Sequence, residues 1–148
     1  MENKEIFKAA ASDIPRGWLY CFNSGCTVCS ECVRYRSAES IESTRTSGMA
    51  VYPTATAGGR HCTYFKRLRT IRSAWGFGRM FADVKAADAP RLRAIMKERL
   101  GGNGMYYRYH HGQKRLNPEQ QEWIKTLFKR HGYSEAEFEY YCEEVDFT

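Results

Sequence analysis

From Asp88 onward the apolar residues fall at helical spacing, and capping residues and glycines divide them into separate helices. Leu92, Ile95, Met96 and Leu100 share one face of a segment that Asp88 can cap, with Pro90 tolerated in the first turn and Gly101-Gly102 ending it. Asn103 can cap a second, very short helix that runs to His111 and closes at Gly112. Asn117-Pro118-Glu119-Gln120 reads as a capping-box variant with proline at the first helical position. The helix it opens would bury Trp123, Ile124, Leu127 and Phe128 and stop at Gly132. Ser134-Glu135-Ala136-Glu137 predicts a fourth, acidic helix over 134–148, with Phe138, Tyr141, Cys142 and Val145 on one stripe and Cys142 in the core.

The first half lacks this regularity. A short helix can start at the cysteine-rich segment 21–32 and run to about Ile41. Residues 37–59 are rich in Ser, Thr, Gly and Ala around one compact apolar piece, Met49 to Tyr52, which reads as a loop carrying one short strand. A strand ending at Trp75 and a short helix after it are expected over 70–84. The pattern predicts an α+β protein. A cysteine-rich segment with one or two short strands (1–65) would pack on a four-helix part (66–148), in which 88–131 is helix-turn-helix-like.

With 148 residues the chain is one domain in size, large enough to bury a core without a staple. The composition is not that of a collagen or a coiled coil, and no run approaches the roughly 18 apolar residues of a spanning helix, so no membrane partner is expected. The charged stretch from Met1 to Ala11 lacks the apolar region of a signal peptide, which points to the cytoplasm. The net charge of +6 hides an asymmetry: residues 1–59 are balanced, residues 60–131 hold 17 bases against five acids, and residues 132–148 hold six acids and no base. A basic middle suggests a polyanionic partner, and an acidic end suggests a solvated helix or an internal counter-charge.

Six cysteines in a cytosolic chain point to metal rather than disulfides. Cys21, Cys26, Cys29 and Cys32 offer four sulfurs in a short span, and His61 and Cys62 arrive later. Zinc takes four thiolate or imidazole ligands in a tetrahedron, and spacing leaves open which four these are. An iron–sulfur run fits less well, because the fourth position of the Cys26-x2-Cys29-x2-Cys32 series is Arg36 and no proline follows it. The bland reading is a set of small buried thiols without a ligand. Four protein ligands leave no open position, so the zinc would be structural. A redox role for Cys29 beside the metal is a minor third possibility.

From Ile14 to the C-terminus the chain resembles a family of short, uncharacterised bacterial proteins classed as a domain of unknown function. The resemblance rests on Cys21, Cys26 and Cys32, Cys62-Thr-Tyr-Phe65, Tyr106-Tyr-Arg-Tyr109, Pro118-Glu-Gln120 and the acidic end Glu143-Glu-Val-Asp-Phe147. It implies no activity, but it favours Cys21, Cys26, Cys32 and Cys62 as the ligand set. Cys29 and His61 depart from the pattern and stand as substitute ligands or bystanders.

In a helix-turn-helix arrangement the short helix 103–111 would enter the major groove of double-stranded DNA. Arg108 can bond guanine bidentately, Tyr107 and His111 can reach phosphates or base edges, and Lys114 and Arg115 follow at the helix exit for phosphate contact. The competing reading is a bundle with Tyr106 and Tyr109 in its core and Arg108 solvated. Lys66 to Arg72 is either a second phosphate-facing strip or a charged strand edge. No paired carboxylates, catalytic triad order, His-Glu-x-x-His motif or phosphate-binding glycine loop appears, and adjacent His110 and His111 diverge by about 100° on a helix. The expectation is a small, non-enzymatic, zinc-stabilised protein that binds nucleic acid or regulates. The alternative is a zinc-stabilised interaction module for an unknown protein, contacted through the acidic tail.

Overall fold

The computed structural model describes residues 14–148, so the segment read above for a signal peptide lies outside it. The protein is α+β, with several helices and two two-stranded sheets. It forms two compact units. The first holds the described residues up to Thr70 together with Glu144–Thr148, and the second is Ile71–Glu143.

In the first unit, strand β1 (Tyr20–Cys21) pairs in parallel with β2 (Ala50–Val51), Tyr20 opposite Ala50 and Cys21 opposite Val51. A parallel pair cannot be joined by a tight turn and needs a crossover of about a dozen residues or more. The crossover contains helix α1 (Val33–Ser37), flanked by 3-10 turns at Cys29–Glu31 and Ala38–Ser40, and α1 packs on β1. Trp18, Tyr20, Val33 and Val145 form the buried centre, with Leu68 and Phe147 among the residues packed against it. Phe147 meets the Trp18 ring edge-on at 5.1 Å, and Trp18 Nε1 donates to Ser37 Oγ at 2.9 Å.

Strand β3 (Thr70–Trp75) pairs with β4 (Tyr140–Val145). The second unit continues through α2 (Gly78–Phe81), α3 (Ala89–Leu100), α4 (Asn103–His110) and α5 (Pro118–Arg130). α3 packs on both α4 and α5. Its core joins Leu92, Met96 and Leu100 of α3, Tyr106 and Tyr109 of α4, and Ile124 and Phe128 of α5 to Phe77, Leu116 and Phe138. Trp123 and Leu127 pack at its margin. The Asn117 capping box forms with both bonds, Gln120 N to Asn117 Oδ1 at 2.8 Å and Asn117 N to Gln120 Oε1 at 3.0 Å.

Three expectations are corrected. Residues 134–148 form no helix; Tyr140–Val145 is strand β4 and Cys142 is half-buried in it. On a helix Glu135, Glu139 and Glu143 would stack at like-charge i,i+4 spacing, whereas the aromatic and β-branched residues suit a pleated surface. Ala136 and Phe138 point inward with Glu137 exposed between them, an alternation rather than a stripe. Asp88 precedes α3 but makes no side-chain cap; its carboxylate accepts the Tyr133 hydroxyl instead. Asn103 is the first residue of α4 and Gly102 takes the cap position.

Two glycines permit close approaches. Gly76 (φ 87°) bonds Glu139 N through its carbonyl, and a Cβ there would lie 2.9 Å from Glu139 Cβ. At Gly112 (φ 78°) a Cβ would sit 2.6 Å from Trp75 Nε1.

The C-terminus closes the first unit through a buried carboxylate. Asp146 is 2% exposed and accepts from Arg69 Nε at 2.6 Å, from Thr148 N at 2.9 Å and from the Thr148 hydroxyl. Burial pushes its carboxyl up, but the Thr148 bonds and then the Arg69 bond and charge outweigh this and hold it below the ordinary value. A group depressed on folding contributes stability that is fully present above its unfolded pKa, about 3.9, and is lost as the pH falls through the folded value. Asp146→Asn should lower stability at pH 7 by about 1–3 kcal/mol, read from the urea midpoint. The gap between variant and wild type should narrow below about pH 4 as the wild-type carboxyl protonates. A variant as stable as wild type at pH 7 would contradict this account.

Candidate functional site

Four separate pieces of backbone carry the cysteines of the first unit toward one place. β1 delivers Cys21. After it, Gly25 N donates to Asn23 Oδ1 at 3.2 Å and Cys26 N to Asn23 O at 3.3 Å, so Asn23 folds the chain back at Cys26. Cys32 is buried and bridges Arg67 in an antiparallel contact, supported by Val33 N to Lys66 O at 2.8 Å and Leu68 N to Glu31 O at 2.7 Å. Cys62 lies at a turn closed by Phe65 N to Cys62 O at 3.2 Å.

The five cysteines of this unit line one cavity of about 30 Å³, walled by apolar groups that include Val28, Val51 and Phe65. One water needs about 10–15 Å³, so the space suits an ion or a small solvent cluster and not an organic substrate. Burial pushes the Cys21 thiol above its ordinary value; a hydrogen bond from the Asn23 backbone opposes this, and the neighbouring Cys32, Cys26 and Cys62 add to it. The thiols that act on Cys21 are thus the three others of the set favoured by the family resemblance. Cys29 lines the same cavity, but its Sγ turns to Ser24 O at 4.0 Å. His61 is exposed and lines a different groove. As the side chains stand, no group of three or more His, Cys, Asp or Glu among the described residues is placed to hold a metal ion.

Two residues that organise this place carry no sequence signal. Arg34 donates from Nε to Tyr64 O at 2.9 Å and from a terminal nitrogen to Leu19 O at 3.1 Å, with its guanidinium 4.6 Å from the Trp18 ring centre. Asn23 Nδ2 donates to Thr56 Oγ1 at 3.0 Å, tying the Cys21–Cys26 turn to the 3-10 stretch Pro53–Gly59. An arginine in a basic chain and an asparagine in a loop look like surface residues until the partners across 30 and 33 positions are known.

In the second unit α4 divides its aromatic residues. Tyr106 and Tyr109 are core, while Tyr107, Arg108, His111 and Lys114 are exposed and Arg115 is half-buried. Tyr107 stacks on His111 at 6.1 Å, Lys97 Nζ stands 5.4 Å from the Tyr107 ring, and Arg115 lies 5.4 Å from the Trp75 ring. The His110 and His111 rings are 4.9 Å apart, closer than helical divergence suggests, because His111 is the C-cap. His110 Nδ1 accepts from Phe77 N at 3.1 Å, which commits that nitrogen to structure.

The strip from Lys66 to Arg72 is largely engaged within the molecule. Arg67 pairs with Glu31 at 3.3 Å and Arg69 with Asp146 at 2.6 Å. Lys66 lies over Trp18 at 6.0 Å, and Arg72 over Tyr141 at 4.1 Å. No helix among the described residues is long and apolar enough to cross a membrane.

No curated protein and no solved structure matches the chain. A family model does match, over residues 1–147, and the chain belongs to DUF6078, a family of unknown function.

Proposed function

We propose that the protein is a small, cytoplasmic, non-enzymatic nucleic-acid-binding protein whose first unit is pinned by structural zinc. The observation that carries the nucleic-acid reading is the outward set on α4 and its exit, Tyr107, Arg108, His111 and Lys114, beside inward Tyr106 and Tyr109. Arg108 is exposed and has no carboxylate partner among the described residues, so its fork is free for a guanine edge or a phosphate. The preceding α3 packs on α4 and α5, as a helix-turn-helix reading on double-stranded DNA requires. A protein partner of the acidic tail would have to meet Glu135, Glu137 and Glu143, which are exposed, because Asp146 is buried and Phe147 packs on Trp18.

Zinc is supported by the shared cavity and by the thiols that act on Cys21. Cys21, Cys26, Cys32 and Cys62 would close its coordination sphere if their side chains turned to one centre, leaving no position for water and hence none for hydrolytic chemistry. Binding a cation would let the thiols ionise and would supply folding energy to a unit with few buried apolar residues.

Protein purified without added metal should contain about one zinc per chain. Cys29→Ser should retain it, whereas Cys32→Ala should lose it and unfold the first unit, followed by circular dichroism and protease sensitivity. Zinc-free and iron-free protein that is fully folded would reject the metal, and loss of zinc in Cys29→Ser would reject this ligand set.

DNA binding is tested by a duplex titration over salt. Contact with about five phosphates gives a log–log slope of about −4.5, and absence of binding to any duplex at low salt would reject the reading. Arg108→Ala should weaken specific more than non-specific binding; equal loss would reduce its role to phosphate contact.

A further inference from the structure

A groove of about 780 Å³ runs along the first unit, lined by residues 19–64 and so built from other residues than the α4 surface. β2 and the segment after it form one wall, and Arg60, His61, Thr63 and Tyr64 form another. No Asp or Glu among the described residues lines it. Its volume lies within the roughly 300–1,000 Å³ typical of ligand pockets.

Two tyrosines in the groove are unusually available. Tyr52 is 76% exposed and Tyr64 49% exposed, and neither ring meets another ring or a cation among the described residues. Tyr107 on α4 is different, since His111 and Lys97 already occupy it. The backbones that carry the groove tyrosines are fixed. Val51 is buried just before Tyr52, Ala55 N donates to Tyr52 O at 3.0 Å, and Arg34 holds Tyr64 O. Arg60 and His61 are exposed, and no carboxylate pairs with either among the described residues. Fixed backbone, tyrosine rings without an aromatic or cationic partner, and an unpaired arginine in a groove with no acid among the described residues match a ligand that is flat and anionic along its length.

We infer that this groove binds single-stranded nucleic acid, with bases stacking on Tyr52 and Tyr64 and the backbone phosphates meeting Arg60. Stacking tolerates any base, because every base has a π-face, so little sequence preference is expected. Thr54 and Thr63 supply hydroxyls at the same walls for phosphate or sugar contact. The inference stands apart from the duplex reading of α4, which uses residues of the other unit.

The test is fluorescence anisotropy of a short labelled oligothymidylate with the full chain at low salt. Wild type should bind; Tyr52→Ala and Tyr64→Ala should each weaken binding by about five- to 100-fold. Arg60→Ala should reduce the salt slope by about 0.7. Both tyrosines also line the thiol cavity, so unchanged metal content and thermal melting in these variants are required to place the losses in the groove. Arg108→Ala should leave oligothymidylate affinity unchanged, which separates this outcome from the fate of the duplex reading. No binding to the oligonucleotide, or binding that both tyrosine variants leave intact, overturns the inference. Equal competition by a glutamate-rich peptide overturns it too, and assigns the groove to an acidic protein.

Discussion

The Arg34 guanidinium is the interaction on which the first unit depends. It sits on α1 two residues after Cys32, bonds the carbonyl two residues before Cys21, and bonds the carbonyl two residues after Cys62. Its flat face rests on Trp18, the residue that Phe147 and Ser37 also contact. A lysine could neutralise the same region but could not hold two carbonyls in a planar fork while stacking on an indole. The convergence of distant cysteines is therefore a consequence of one side chain bridging three chain segments.

That bridging matters because the unit has little else. Among the described residues, four buried apolar side chains form its central cluster, while that of the second unit gathers thirteen. At this scale hydrophobic burial supplies only part of what ordering a long, Ser- and Thr-rich crossover costs. The structure answers with polar ties: the Asp146 carboxylate with Arg69 and Thr148, Trp18 with Ser37, and Asn23 with Thr56. It also recruits the C-terminus, since Val145 completes the core. A metal closing the thiol cavity would belong to the same economy of ties.

The second unit was the more legible one, for a physical reason. The Asn117 capping box and the stripes of α3 and α5 are local signals, and local interactions decide those helices. The fate of residues 134–148 is decided by distant partners instead: Gly76 for Glu139, and Arg69 for Asp146. A capping-box motif at Ser134 could not compete with those contacts. The cysteine grouping was visible from spacing and resemblance, whereas Arg34 and Asn23 were invisible because their partners lie across some 30 positions. Cys29 was undecidable from spacing, and only the direction of its sulfur toward Ser24 sets it apart.

Charge shows most clearly how folding rewrites a sequence statement. The basic block 60–131 and the acidic tail do not coincide with the two units: Ile71–Glu143 carries 13 bases against nine acids, and the remainder ten against eight. Total charge thus says little about where an anion would be drawn. What remains after internal pairing says more. Arg67 and Arg69 are paired with Glu31 and Asp146 while Arg72 lies over Tyr141, so part of the charge in the strip that looks most basic is already offset. Arg108 and Arg60 stand in less basic surroundings, yet neither is paired with a carboxylate among the described residues. Since a cation already paired must first release its partner, affinity for a polyanion follows the unpaired cations rather than the densest run.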